Sequence, residues 1–229
     1  MRQLLVLLVV SLSALAFAGA AELLAEGEFK AAYEAAVQEG DWVLAARAAS
    51  FYAMYQAEDK KERAAWFSKA EAAAKRAIQE DPENPEAYFE LARALGRLAQ
   101  YRGILQSISL ASAVKENLDK ALKLKPDYAS ALVALALWHL ELSQKGVGWL
   151  YGASEKKVIP LFEKAIQLEP DRIIHRLEYA KALLRLGKKK EALKQLEVAL
   201  SLPPKDARDR YVLEEARALY EKLKAELGG

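Results

Sequence analysis

The sequence predicts an all-α solenoid of about four stacked helix-turn-helix units, and three observations lead there. The first is a recurring block: residues 163–171 read EKAIQLEPD, and close copies stand at 75–83 (KRAIQEDPE), 119–127 (DKALKLKPD) and 197–205 (EVALSLPPK). The second is its spacing. Pro82, Pro126, Pro170 and Pro204 end the copies at intervals of 44, 44 and 34 residues, and self-similarity at roughly 20–50 residues marks units that bury a core only by lying side by side. The third is composition: Gly and Pro number only 11 and 7, while Ala, Leu, Glu and Lys abound, the usage of a helical chain.

In chain order, residues 1–20 (MRQLLVLLVVSLSALAFAGA) differ from all that follows. Arg2, an apolar run from Leu4 to Phe17 and then small residues have the anatomy of a secretory signal peptide. Small-x-small patterns at Ala16–Ala18 and Ala18–Ala20 start the mature chain near Gly19 or Ala21. The run is shorter than the roughly 20 residues of a bilayer span, so cleavage is expected rather than anchoring. Cys is absent, which excludes disulfides, thiol catalysis and lipid attachment through an N-terminal cysteine. The mature protein is therefore expected outside the cytoplasm, periplasmic or extracellular.

Residues 21–40 predict a capping helix, and 41–206 predict the repeats as 41–84, 85–128, 129–172 and 173–206. With each proline set at position 32 of a unit of about 34 residues, position 27 falls on Ala77, Ala121, Ala165 and Ala199. Position 24 falls on Ala74, Leu118, Phe162 and Leu196, and position 20 on Ala70, Val114, Val158 and Ala192. All are small or apolar, as the seam between two antiparallel helices requires. In the first helices position 8 is Ala92, Ala136 and Ala180, with Ala48 one 44-residue step earlier; Arg47 and Arg176 break the apolar pattern. Proline closes each second helix because it cannot donate the hydrogen bond a helix interior needs. Residues 207–229 predict a final helix whose charged outer face caps the rear of the stack.

The 44-residue units carry about ten extra residues between their helices, near 100–112 and 143–157, with an equivalent stretch at 54–68. Stacking brings such insertions to one edge, where they commonly form a binding face. Trp66, Tyr101, Trp149 and Tyr151 stand in them. Two readings remain open: a rim or lid of aromatics, or aromatics packing the lengthened helix ends.

These positions together resemble the tetratricopeptide repeat (TPR) family over about 41–206, with the clearest copy at IIHRLEYAKALLRLGKKKEALKQLEVALSLPPKD (173–206), where Gly187 suits the inter-helix turn. The resemblance implies a right-handed superhelix whose first helices line a concave wall and supply ligand contacts. It places there Phe89, Arg93, Arg97, Val133, Leu137, Leu177, Lys181 and Arg185. An apolar strip flanked by bases suits a peptide or a small amphiphile bearing a carboxylate, for which Arg offers a planar fork. The alternative is that the apolar members bury against neighbouring helices or another subunit while the bases are solvated.

Other chemistry is missing. The formal charge is +2, with no block of five like charges, so no footprint for nucleic acid is visible. His139 and His175 are the sole histidines; His139 reads as a packed core residue. No HExxH, phosphate loop or GxSxG occurs, so neither metal, cofactor nor enzymatic activity is expected. The long units, the run GWLYGASEKKVIPLFEKAIQLEPD and the ending PPKDARDRYVLEEARALYEKL look similar to a narrower group. It comprises the T component of tripartite ATP-independent periplasmic (TRAP) transporters and the bacterial relatives of microtubule-dynamics regulators. That resemblance implies a non-enzymatic repeat scaffold that docks a solute-binding protein, or alternatively a carrier of a small apolar carboxylate; homo-oligomerisation is left open.

Overall fold

The computed structural model describes residues 18–101 and 104–228, with the side chains of 104–108 left aside. All but the last three residues of the expected signal peptide lie outside that range, as does Gly103. Among the described residues there are helices and turns and no strand. The chain runs α1 (Ala20–Glu26), α2 (Phe29–Glu39), α3 (Trp42–Tyr55), α4 (Lys60–Glu80), α5 (Pro85–Leu98), α6 (Ile104–Leu124), α7 (Ala129–Gln144), α8 (Gly148–Tyr151), α9 (Val158–Leu168), α10 (Ile173–Arg185), α11 (Lys189–Ser201) and α12 (Ala207–Gly228).

Helix starts follow their capping residues. Asp41 accepts from the Leu44 N–H at 2.9 Å, Asp59 from Glu62 at 2.8 Å and Asn84 from Glu86 at 2.9 Å, each satisfying a donor that the first helical turn leaves unpaired. Pro85 opens α5, where its missing N–H costs nothing. Residues 21–40 were expected as one helix and form two, because Gly27 adopts φ 95° and turns its N–H back to Leu23 and Leu24.

Helices α3/α4, α5/α6, α7/α9 and α10/α11 pack as antiparallel hairpins within the four expected units. The alanine ladder is the seam between them. Ala48, Ala136 and Ala180 are fully buried and Ala92 nearly so; Ala121, Ala165 and Ala199 are fully buried opposite them. A methyl at these positions lets two helices approach closely, and larger side chains fill the gaps between. Leu118, Phe162 and Leu196 occupy the same register and are fully buried, each contributing roughly 1.5–3 kcal/mol. The result is an α-α solenoid with two short helices at its front and the 22-residue α12 at its rear.

The extra residues take two forms. In the first two units they become added turns at the front of α4 and α6, each 21 residues long. In the third, Gly146 and Gly152 take left-handed backbone (φ 72° and 66°), the helix breaks, and the segment folds into the one-turn α8 and a short 3-10 turn at Glu155–Lys157.

The two ends of the ribbon meet. Helix α12 packs along α10 and α11, and it also reaches α1. Gln56 Nε2 donates to the Gly27 carbonyl at 2.8 Å and to the Tyr211 hydroxyl at 3.3 Å. Tyr211 stacks on Tyr55 with centroids 5.1 Å apart and meets Phe29 at 6.1 Å. At Gly27 an added Cβ would stand 2.7 Å from the Cβ of Ala207. An inner wall left free was expected; the chain instead folds its own last helix against the first ones.

Candidate functional site

Where the ends meet, charge is concentrated on the inner wall. Arg47, which breaks the apolar pattern of α3, donates to Glu86 at 2.5 Å and to Glu90 at 3.0 Å. Glu90 is fully buried and also accepts from Arg93 one turn along α5. Burial works to lower the Arg47 guanidinium, but the attraction of Glu90 and the hydrogen bonds to Glu86 and Glu90 outweigh it and hold it above its usual value. Arg93 is the poorer-off partner: burial, with the repulsion of Arg47 and Arg208, overcomes Glu90 and pushes it down.

Arg208, from the first turn of α12, shares the Phe51 ring with Arg93; each guanidinium lies 5.0 Å from that ring's centroid, within cation-π reach. The Arg93 side chain is 15% exposed and that of Arg208 11%. Arg93 Nε and Arg208 Nε and Nη2 are buried with no hydrogen-bond partner, and Asp209 Oδ1 is too far from Arg208 at 3.9 Å. Burial raises the Tyr55 hydroxyl, while the fields of Arg208, Arg93 and Arg97 act the other way. Two guanidinium groups thus share the Phe51 ring, and donors on both have no acceptor. Buried polar groups are normally satisfied, and the group whose geometry matches a guanidinium fork is a carboxylate.

The other residues read from the sequence fall in three places. Phe89, Val133 and Leu177 are buried in the core, so they pack helices instead of lining a surface, and Leu137 is half-buried against them. Arg97 is half-buried beside the centre. Lys181 is held by Glu178 at 3.1 Å and Glu215 at 2.7 Å, and Arg185 by Glu141 and Gln144; these two bases already carry partners. The insertion aromatics also divide. Trp66 is buried against Tyr33 and Tyr52 under Lys69, Tyr101 packs on Phe67, and Tyr151 is half-buried, whereas Trp149 is 80% exposed. Among these, Trp149 alone stands out into solvent. Arg93 and Arg97, placed on the wall by repeat position, and Arg47, the break in the apolar pattern, were the available signals for the centre; Phe51, Tyr55, Glu90, Arg208 and Tyr211 carried none without the closure.

His139 is 2% exposed and its Nδ1 accepts from the Ser154 N–H at 3.3 Å, the packed role read from its position. Burial, with Lys157 and Lys115 nearby, brings it down to about 4. Arg176, the second break in the pattern, donates to Gln195 at 2.9 Å and to the Pro170 carbonyl at 3.3 Å. Among the described residues no group of His, Cys, Asp and Glu could hold a metal ion, and no helix is long and apolar enough to cross a membrane.

Fold and inner wall together define a TPR-type solenoid, and a solved thermophilic TPR protein of Thermus thermophilus superposes with a TM-score of 0.64 at 21% identity, covering 87% of this chain and 95% of that one. Residues 20–224 match the family model described as Regulator of microtubule dynamics protein 1-3. The chain belongs to that family. Bovine regulator of microtubule dynamics protein 3 is 29% identical over 159 residues, 64% of this chain and 33% of that protein. Bovine regulator of microtubule dynamics protein 1 is 26% identical over 197 residues, 78% and 59%. The chain spans between about a third and three fifths of these relatives' length. Of the two halves of the narrower resemblance, the comparisons support the microtubule-regulator one and lend no support to the TRAP transporter one.

Proposed function

We propose that this chain is a non-enzymatic TPR scaffold that holds a protein partner by an acidic group seated among Arg93, Arg97 and Arg208. One observation carries the reading: buried guanidinium N–H groups of Arg93 and Arg208 have no acceptor within the chain. A partner carboxylate supplies one, and the hydrogen bonds form in a desolvated setting where charge-assisted bonds are strongest. The TPR fold and a family named for regulation support a binding role over a reaction. The leader-like residues 1–20 support work outside the cytoplasm; there the partner could be the solute-binding protein of a transporter.

The test is capture of a crosslinked partner by wild type and by Arg97→Glu. Arg97 is half-buried, so its substitution leaves the melting curve in place while reversing the charge met by the partner. Loss of capture with an unchanged melt supports the reading; undiminished capture removes the site. A second reading, a carrier of a small apolar carboxylate, is favoured by the enclosure of the same donors. Mass spectrometry of the natively purified protein separates the two, since a carrier retains a small acid of defined mass that Arg97→Glu does not.

A further inference from the structure

The insertion between α7 and α9 is a second, separate feature that the arginine centre leaves unexplained. Trp149 is 80% and Leu150 58% exposed, and no other large apolar side chain among the described residues exceeds 39%. They are neighbours on one turn of helix. The segment is not a slack loop: Gly148 is buried so tightly that an added Cβ would lie 3.1 Å from the Ala153 carbonyl and the Ser143 Cα. Ser154 is hydrogen-bonded to His139 beneath it, and Tyr151 is half-buried in the core. Two of the bulkiest apolar side chains are therefore held rigidly in water, against the hydrophobic effect.

The surroundings are cationic. Lys145, Lys156 and Lys157 are exposed in the same segment against the single carboxylate Glu155. Lys145 pairs with Glu141 at 3.0 Å, and no ion pair holds Lys156 or Lys157 among the described residues. Lys156 and Lys157 also border, with Lys115, a shallow depression of about 380 Å³ floored by Leu135, Pro160 and Leu161. Lys156 and Lys157 over an apolar floor form a seat for an anionic headgroup, while Lys115 is paired with Asp119 at 2.5 Å; after burial, Lys157 and Lys115 are the charges that hold His139 down.

We propose that this tip docks on an anionic lipid bilayer, Trp149 and Leu150 entering the headgroup boundary while Lys156 and Lys157 meet lipid phosphates. Size and composition decide against a protein partner here. A stable protein interface buries on the order of 1,000 Å² and is depleted of Lys at its centre, whereas two protruding side chains ringed by lysine match the composition of a membrane interface. Charge and apolar contact act together, as peripheral binding requires.

The test uses the full chain with vesicles of phosphatidylcholine, or of phosphatidylcholine with about 30 mol% phosphatidylglycerol, the acyl chains brominated to quench tryptophan at short range. The protein has four tryptophans and none in residues 1–20, so insertion of the leader gives no signal. Trp66 and Trp138 are buried and Trp42 half-buried. Anionic vesicles should quench the share belonging to Trp149, Trp149→Phe should abolish that quenching, and Lys156→Gln with Lys157→Gln should weaken vesicle binding about 30-fold, at about 1 kcal/mol per lysine. Equal quenching in Trp149→Phe, or the same binding to neutral vesicles, overturns the proposal. So does an unquenched wild type, the result for a tip that meets a protein or a second copy of the chain.

Discussion

The arginine centre and the insertion tip hold charge of one sign under opposite conditions. Arg93 and Arg208 are withdrawn from water beside Phe51, and the buried Glu90 holds Arg93, so these donors are fixed in place by the fold. Lys156 and Lys157 stand in water without a fixed partner and gain only what a charged surface brings to them. Short-range hydrogen-bond geometry governs the first, with little screening by salt. Long-range attraction governs the second and fades within a Debye length. One fold thus carries shielded, fixed cations and solvated, free ones, and each group responds to substitution in its own way.

The largest effect is expected at the first. Glu90→Gln removes the carboxylate between Arg47 and Arg93 and leaves buried cations uncompensated, which should lower stability to urea by about 3–5 kcal/mol; a loss below about 1 would show that Glu86 alone sustains the cluster. Next comes the closure. Gly27→Ala asks an L-residue to hold φ 95° and sets its methyl against Ala207, for an expected loss of about 2–3 kcal/mol. Adding Ala207→Gly should recover the steric part and not the backbone part.

Acid acts third. Burial, then Arg172 and Arg208, depress His175 to about 3, whereas unfolding restores an ordinary histidine. The unfolded chain therefore binds the extra proton. Stability is full above about pH 6.5 and declines as pH falls from there toward 3, by about 2 kcal/mol at pH 5 for this one group. A urea series at pH 7 and pH 5 on wild type and His175→Gln should show that increment only in wild type. The smallest effect belongs to the tip: Trp149→Ala should shift stability by less than about 0.5 kcal/mol, which would confirm that Trp149 serves no packing purpose.

How much of this was legible follows the range of the interactions. The hairpin seam repeats in the sequence, so Ala92, Ala136 and Ala180 could be placed by counting. The insertions were located, but their form depended on local propensity. Residues 60–68 (KKERAAWFS) contain good helix formers and extend α4, whereas Gly146, Gly148 and Gly152 break the helix in the third unit. The inner wall was read as open because nothing periodic marks its closure. Arg47 looked like a flaw in the repeat until Glu90 stood beside it, and Arg208 looked like one more charge on a solvated cap. Phe89, Val133 and Leu177, assigned to a ligand by repeat position, went to the core once the ribbon curled this tightly.

The contact of Tyr55 and Gln56 with Tyr211, across 155 residues in the case of Gln56, has a consequence for lineage. Most solenoids tolerate gain or loss of a repeat because each touches only its neighbours. Here a duplicated hairpin would carry Tyr211 out of reach of Tyr55 and strip Arg208 from Phe51, so descent by copying repeats is barred while this clasp holds. Homologues keeping Gly27, Gln56 and Tyr211 should share one tally of hairpins, and those that vary it should have lost all three.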